Sequence, residues 1–311
     1  MRGGAGGGLR FFGGGGPRRR AGRALRQLRH RMRPGTEVPR GLARHAARVG
    51  DHLVVPTCAF CERPGPLTRE HIFPRWMLPY LTHPSGRAGE LRRRVVERGR
   101  PDKTVSYRTR GGSQTVRSVC ATCNNGWMSD LETEAQPLLE PLLKGEIIRL
   151  SEPEQMIAAT WAVKTVLVLG TTVENRVVAE FYKDFYSHRT PSEGTLVALA
   201  AGIDPAFGMV DFKPMRVTDV FGPMPYPQNA YVSLICAGRL VVWVASWREI
   251  PLPLPRLSEW EDPLTPIWPV MNPVASCPEK YVLDPRGIQE LAEVAFLGRD
   301  VNSREVGPLF P

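Results

Sequence analysis

Two Cys-x-x-Cys pairs, Cys58–Cys61 and Cys120–Cys123, constrain this chain more than any other feature in it. Two residues between cysteines let a tight turn aim both sulfurs at one point, and two such pairs can surround one Zn2+ tetrahedrally. The pairs stand 58 residues apart, so a shared ion would join distant parts of the chain. In small zinc modules such binding supplies roughly 10–16 kcal/mol of apparent folding free energy. Sulfur at every position leaves no open coordination site, so this zinc is expected to be structural. The remaining cysteines, Cys236 and Cys277, stand alone and read as small buried hydrophobes.

Paired cysteines in a chain without an apolar signal core read as metal ligands rather than as a disulfide framework. No apolar run reaches the roughly 18 residues a bilayer span needs. The expected location is therefore the reducing cytoplasm, away from any membrane. With 311 residues and 42% hydrophobic content, the chain is long enough and apolar enough for two folded domains.

The formal charge is +10, and it is unevenly distributed. Residues 1–50 hold thirteen arginines and a single acid, Glu37; the stretch 51–127 is also basic, and the remainder is net acidic. Basic charge thus lies on and ahead of the cysteine region, where a phosphate backbone can use it. Segments such as Gly3–Gly8, Gly13–Gly16 and Arg18–Arg20 have too few branched apolar residues to fold alone. This gives three parts: a disordered Arg/Gly-rich arm over 1–50, a zinc-bound module over 51–145, and an α+β domain over 146–311. Three readings of the arm stand side by side: a nucleic-acid-binding tail, an Arg-rich organelle leader, and a start assigned too far upstream, with Met32 as one true beginning. The stretch Ala21–Met32 has the pattern of a basic helix.

Within the middle part, Gly86–Arg110 is a basic insertion containing Arg92, Arg93, Arg94, Arg98, Arg100, Lys103, Arg108 and Arg110. It reads either as a solvated loop or as an arm that tracks phosphates. A helix is predicted to open at Asn124–Asn125 and to run through Trp127, Met128 and Leu131 until Pro137 interrupts it. A second is predicted over Glu154–Leu169, with Met156, Ala159, Trp161, Val163 and Val166 on its apolar surface, and buried because it is apolar nearly all round toward its end. Strands are predicted at Leu196–Ala200 and Met215–Phe221. Tyr231–Cys236 and Leu240–Trp247 read as a hairpin through Ala237-Gly238-Arg239. A proline-rich connector follows, from Pro251 to Pro269, and a last helix is predicted over Pro285–Phe296.

The chemistry-bearing residues lie between and just after the cysteine pairs. Glu70 and His71 are adjacent, and neighbours on a strand point to opposite faces, so a carboxylate can ligate a metal while the imidazole addresses substrate. A hard cation such as Mg2+ prefers oxygen ligands. A neutral histidine can take a proton from an attacking water near pH 7, typically worth about 10²–10⁴-fold in rate. Asn124 directly follows the last cysteine. Its amide oxygen can complete a hard-metal site, or its side chain can act as an N-cap, and Asn125 can take either role. His188 and Asp184, near Tyr182 and Tyr186, read as surface residues.

The string Cys58-x-x-Cys61, Glu70-His71-Ile72-x-Pro74, Cys120-x-x-Cys123-Asn124 resembles the HNH endonuclease family in its zinc-bound, four-cysteine branch. The continuation Asn125–Glu132, Asn-Gly-Trp-Met-x-x-Leu-Glu, resembles uncharacterised bacterial HNH-like proteins. The match runs from Val55 to Glu132 and leaves the C-terminal half unassigned. The resemblance implies a ββα-metal fold in which one strand presents Glu70 and His71 and the helix after Cys123 closes the site. It further implies that the chain hydrolyses phosphodiester bonds in DNA, with His71 as general base and Glu70 and Asn124 holding Mg2+ or Mn2+. Arg69, Arg75 and Arg117 read either as groups that position the nucleic acid or as ordinary surface charge. In the family an asparagine commonly stands a few residues before the second cysteine pair; Thr115 holds that position here, beside Ser113 and Gln114. That departure supports the alternative of a non-catalytic, zinc-stapled nucleic-acid-binding protein on the same scaffold.

Overall fold

The computed structural model describes residues 47–49, 52–81, 90–95, 103–108, 114–172, 177–215, 229–248, 264–277, 282–284, 286–288 and 291. All of them belong to one compact unit, His45–Pro311. The architecture mixes helices and sheets, as the α+β expectation has it. In chain order the elements are β1 (Ala47–Val49), β2 (His52–Val54), β3 (Leu67–His71), α1 (Leu78–Leu81), β4 (Glu90–Val95), β5 (Lys103–Arg108), β6 (Thr115–Cys120), α2 (Ser129–Lys144), β7 (Ile148–Ser151), α3 (Glu152–Gly170), α4 (Ala179–His188), β8 (Thr195–Met215), β9 (Ala230–Trp247), β10 (Thr265–Trp268) and β11 (Val274–Cys277). No described helix is long and apolar enough to cross a membrane.

The central piece is α3. Ser151 and Glu154 form a reciprocal capping box, with the Ser151 backbone N–H donating to Glu154 Oε2 at 2.7 Å, and this starts the helix two residues earlier than its apolar period alone suggests. From Ala158 to Gly170 every residue is buried, as expected of a helix apolar nearly all round. Met156, expected on that apolar surface, is instead exposed on the first turns. Beside α3 runs α2, which contains Pro137 and Pro141 without ending at either. A proline inside a helix costs about 3 kcal/mol, and here the helix carries it on a buried stripe of Leu131, Ala135, Leu139, Leu142 and Leu143. Local sequence predicted a stop at Pro137; tertiary burial overrides it.

The largest sheet has the order β10-β8-β4-β5, with β9 on the other edge of β8. The predicted hairpin at Tyr231–Trp247 is a correction: β9 is one strand, antiparallel to β8 over its length, and Gly238 is a bulge rather than a turn. The core shows why. Tyr231, Ile235 and Ala237 face one buried cluster, and after the bulge Leu240, Val242 and Val244 face the same one. The odd positions serve it before Gly238 and the even positions after, so the alternation changes phase where the register with β8 shifts on either side of the Ala206–Gly238 pair. The residues in between, Val232, Leu234 and Cys236, then Val241, Trp243 and Ala245, pack into a second cluster on the opposite face. Both faces are therefore buried, which makes the strand read as a continuous apolar run.

Gly238 has φ +54°, and a Cβ there would lie 2.5 Å from the Leu143 carbonyl oxygen at the end of α2. That helix ends in turn on Gly145, at φ +85°, packed against the Arg239 side chain. The two glycines lock the end of α2 onto the bulge of β9. The basic insertion, expected as a loop or arm, has strand backbone over β4 and β5, paired antiparallel with Arg92 opposite Ser106 and Arg94 opposite Thr104. Residue 215 ends β8 where a further strand was predicted, and the rest of Met215–Phe221 lies outside the described residues. So do residues 1–46, the connector from 251 to 263, Ser113, and most of the predicted Pro285–Phe296 helix, of which 286–288 and 291 are helical.

Candidate metal centre and catalytic strand

The first cysteine pair sits in a loop closed on itself. The Gly65 backbone N–H donates to the Pro56 carbonyl at 2.9 Å, Cys58 N–H to Arg63 O at 3.1 Å, and Glu62 N–H to Cys58 O at 3.0 Å. Ala59 N–H then reaches Ser118 O on β6 at 2.8 Å, bringing this turn against the second pair. Cys120 ends β6 as the N-cap of a single helical turn, Ala121–Cys123, which places Cys123 on the same side as Cys120.

The four Sγ atoms all lie within 4.8 Å of one another, and Cys61 and Cys120 are 3.6 Å apart. A tetrahedral site with Zn–S of about 2.3 Å has S···S edges of about 3.8 Å, so the donor set fits zinc in number, chemistry and spacing. Cys58 and Cys123 are buried, while Cys61 and Cys120 are partly exposed. Burial pushes the Cys61 and Cys123 thiols up. Burial also acts upward on Cys120, but hydrogen bonds from the Cys123 backbone and from the neighbouring thiols outweigh it and lower Cys120. Among the described residues this is the one group of three or more His, Cys, Asp and Glu side chains arranged to hold a metal. Cys236 and Cys277 lie apart and fully buried, and the Cys277 thiol is pushed up to about 12 by burial.

Aromatic rings wall the cysteine centre. Phe60, between the first two cysteines, meets Trp127 edge-on at 5.7 Å and Tyr182 at 5.3 Å. Arg189 caps α4 at φ +59°. Its guanidinium lies between the Trp127 and Tyr186 rings, at 4.1 and 4.0 Å from their centroids. Trp127, Met128 and Leu131 thus use the Asn-Gly-Trp-Met-x-x-Leu stretch for packing. His188 and Asp184 are on α4, His188 exposed and bonded through Nδ1 to the Asp184 carbonyl, and Asp184 is paired with Arg248.

Strand β3 pairs antiparallel with β6, and a bulge interrupts the register between Thr68 and Glu70. The helical segment beginning at Ala121 follows β6 directly, leaving helical geometry at Gly126 before α2. Glu70 and His71 point to opposite sides. Glu70 is buried at 4% exposure, and His71 is partly exposed at the strand end, opposite Thr115 in the ladder. The Ile72 N–H bonds the Gln114 carbonyl at 3.0 Å and extends this pairing.

Asn124 is not an N-cap. That position belongs to Cys120, and Asn124 has helical φ and ψ of −62° and −54°. Its amide nitrogen crosses to β3, donating to Thr68 Oγ1 at 2.9 Å and to the Arg69 carbonyl at 3.2 Å. Both acceptors lie on β3 beside the register shift, so the amide ties the segment after Cys123 to that strand.

Glu70 faces inward to Lys164 of α3, with Oε1 at 3.5 Å from Nζ; the same ammonium binds Glu132 of α2 at 2.5 Å. Burial raises the Glu70 pKa, Lys164 opposes that rise, and Glu132 adds to it. His71 is lowered, first by burial, then by Arg75 and Lys164, with Glu132 opposing. The cysteines converge as their spacing required. Glu70 and Asn124 both act at β3 but bond different partners, Lys164 for one and Thr68 with Arg69 for the other. Lys164 and Glu132 were not singled out by sequence. The signal was there for Lys164, the one charge in the run from Met156 to Gly170.

No family model, curated protein or solved structure matches the chain.

Proposed function

We propose that this chain is a metal-dependent endonuclease that hydrolyses phosphodiester bonds in DNA, with His71 as general base, Glu70 and Asn124 as ligands of a Mg2+ or Mn2+ ion, and the four cysteines as a structural zinc clip. The observation that carries the reading is the antiparallel β3–β6 pair running straight into a helix, with a four-sulfur cluster at its base and His71 partly exposed at its end. A lowered His71 pKa keeps the imidazole in its neutral, proton-accepting form. In both Asn124 bonds the nitrogen donates, so the amide oxygen is the atom suited to a hard cation.

The chemistry is a single displacement. An imidazole nitrogen of His71 takes a proton from water, the water oxygen attacks phosphorus, and the bond from phosphorus to the leaving oxygen breaks. A bound divalent ion would neutralise charge developing on the phosphate and the leaving oxygen. Arg69 lies within β3, Arg117 within β6 and Arg75 just after β3; all three are exposed and suit phosphate contacts. No disulfide joins any of the six cysteines, which suits a reducing cytoplasm.

Nicking of supercoiled plasmid with Mg2+ or Mn2+ tests the proposal. Purified protein that leaves plasmid intact, or an H71A variant that cuts as well as the parent, ends it. EDTA is a poor control, because strong chelation also strips zinc. A second reading has its own support: Glu70 is already engaged by Lys164, and Thr115 rather than an asparagine stands opposite His71. On that reading the scaffold binds nucleic acid without cutting it, giving salt-sensitive DNA or RNA retention and no hydrolysis.

A further inference from the structure

Lys164 has a side chain with no exposed surface. An unpaired ammonium in such a place is costly, and even a paired one is often replaceable by packed apolar residues without loss of stability. Every neighbour of Lys164 along α3 from Ala158 to Gly170 is uncharged and buried. An apolar residue is what the helix needs for packing alone.

What the lysine adds is a link between three elements. Its Nζ joins Glu70 on β3, Glu132 on α2 and its own helix α3, spanning 94 residues of sequence to reach Glu70. The two contacts differ. Glu132 is bound at 2.5 Å and its side chain is 22% exposed, whereas Glu70 is at 3.5 Å and 5% exposed. The shorter bond anchors the ammonium; the longer one restrains Glu70 while leaving it the looser partner. Glu70 directly precedes His71 on β3, so the ion pair stands beside the strand end that the nuclease reading uses, and Glu132 extends from this interior toward solvent.

We infer that Lys164 is a positioning residue of the proposed site, anchored by Glu132 and holding the Glu70 carboxylate where a divalent ion can engage it. This rests on the reading of Glu70 as a metal ligand. Partners standing behind a ligand set its orientation, and their loss typically lowers metal affinity or activity roughly 10–100-fold.

The test uses the full-length, zinc-loaded protein, with Mn2+ binding followed by the electron paramagnetic resonance of free Mn2+ and nicking measured on supercoiled plasmid. K164M is expected to weaken both by roughly 10–100-fold at unchanged zinc content, with a lower melting temperature because Glu70 loses its buried partner. K164R, which keeps a cation between the carboxylates, is expected to recover part of the loss, and E132Q to weaken both in the same direction as K164M. A folded, zinc-replete K164M with parental Mn2+ affinity and nicking overturns the inference. Should K164M not fold, E132Q and K164R decide, and parental Mn2+ binding in both overturns it. The two readings separate in the parent protein: no Mn2+ binding and no nicking there sinks the nuclease reading and Lys164's role together. An active parent matched by an equally active K164M sinks only the latter.

Discussion

Removing zinc is expected to unfold at least the region from Pro56 to Lys144. The four sulfurs lie 3.6–4.8 Å apart. At an effective dielectric near 20, each pair of thiolates at such spacing repels by roughly 3–5 kcal/mol. Four thiolates cannot coexist there without a cation. In the metal-free protein the cluster must protonate, consistent with the upward push of burial on Cys61 and Cys123. What then remains of the link is the packing of Cys58 and Cys123 among aromatic rings. Zinc contributes roughly 10–16 kcal/mol in comparable modules, against about 5–15 kcal/mol for the whole stability of a typical domain. The clip also carries the turn that holds Phe60 against Trp127, Tyr182 and Phe185, so its loss removes a wall of the core as well as a bond. Metal analysis should find one zinc per chain, and chelator titration followed by far-UV circular dichroism should show helix loss in step with zinc release. Release should become easier as pH falls, because protons compete with the ion for sulfur. C61S and C123S should both lose the zinc, whereas C277S, outside the cluster, should keep it. A verified metal-free protein that melts at the temperature of the zinc form refutes this reasoning.

Four further outcomes follow from the geometry. H71A should cut plasmid about 10²–10⁴-fold more slowly than the parent, with zinc content unchanged, as measured by initial nicking rates. Because the neutral imidazole is the active form and its pKa is lowered from 6.5, the parent's acid limb should fall below pH 6.5; a rate that already declines above that pH contradicts the assignment. Gly238→Ala forces a side chain into the left-handed region, at about 1–2 kcal/mol, and against the Leu143 carbonyl at 2.5 Å. Its urea midpoint should drop accordingly, and an unchanged midpoint would remove the argument that the bulge is locked to α2. Trp161→Ala, at a fully buried site, should cost about 3–5 kcal/mol in equilibrium unfolding, and a loss under 1 kcal/mol would show that α3 is not the core's central element.

The convergence of the four cysteines was legible because it depends on short spacings. A Cys-x-x-Cys turn aims its own sulfurs, so the sequence needed only a fold that closes the gap between pairs. The burial of α3 and the apolar character of β9 were likewise local properties. Elements went astray where long-range packing reversed a local rule. Pro137 is a strong stop signal, yet a buried leucine stripe carries α2 through it. Ala237-Gly238-Arg239 looks like a turn, yet β8 pairs across it and the glycine becomes a bulge against Leu143. Asn124 was open as a metal ligand or a cap, and its amide nitrogen turns out to bond Thr68 and the Arg69 carbonyl on another element.

Taken alone, then, the order of residues determined which side chains are able to ligate, accept a proton or hide from water, since those are properties of the groups and their near neighbours. Which groups meet was decided by the tertiary structure. Lys164 reaches Glu70 from 94 positions away, and no periodicity encodes that contact. An ammonium in a buried helix is tolerated only where two carboxylates arrive from elsewhere in the chain, and their arrival depends on the packing of β3, α2 and α3 together.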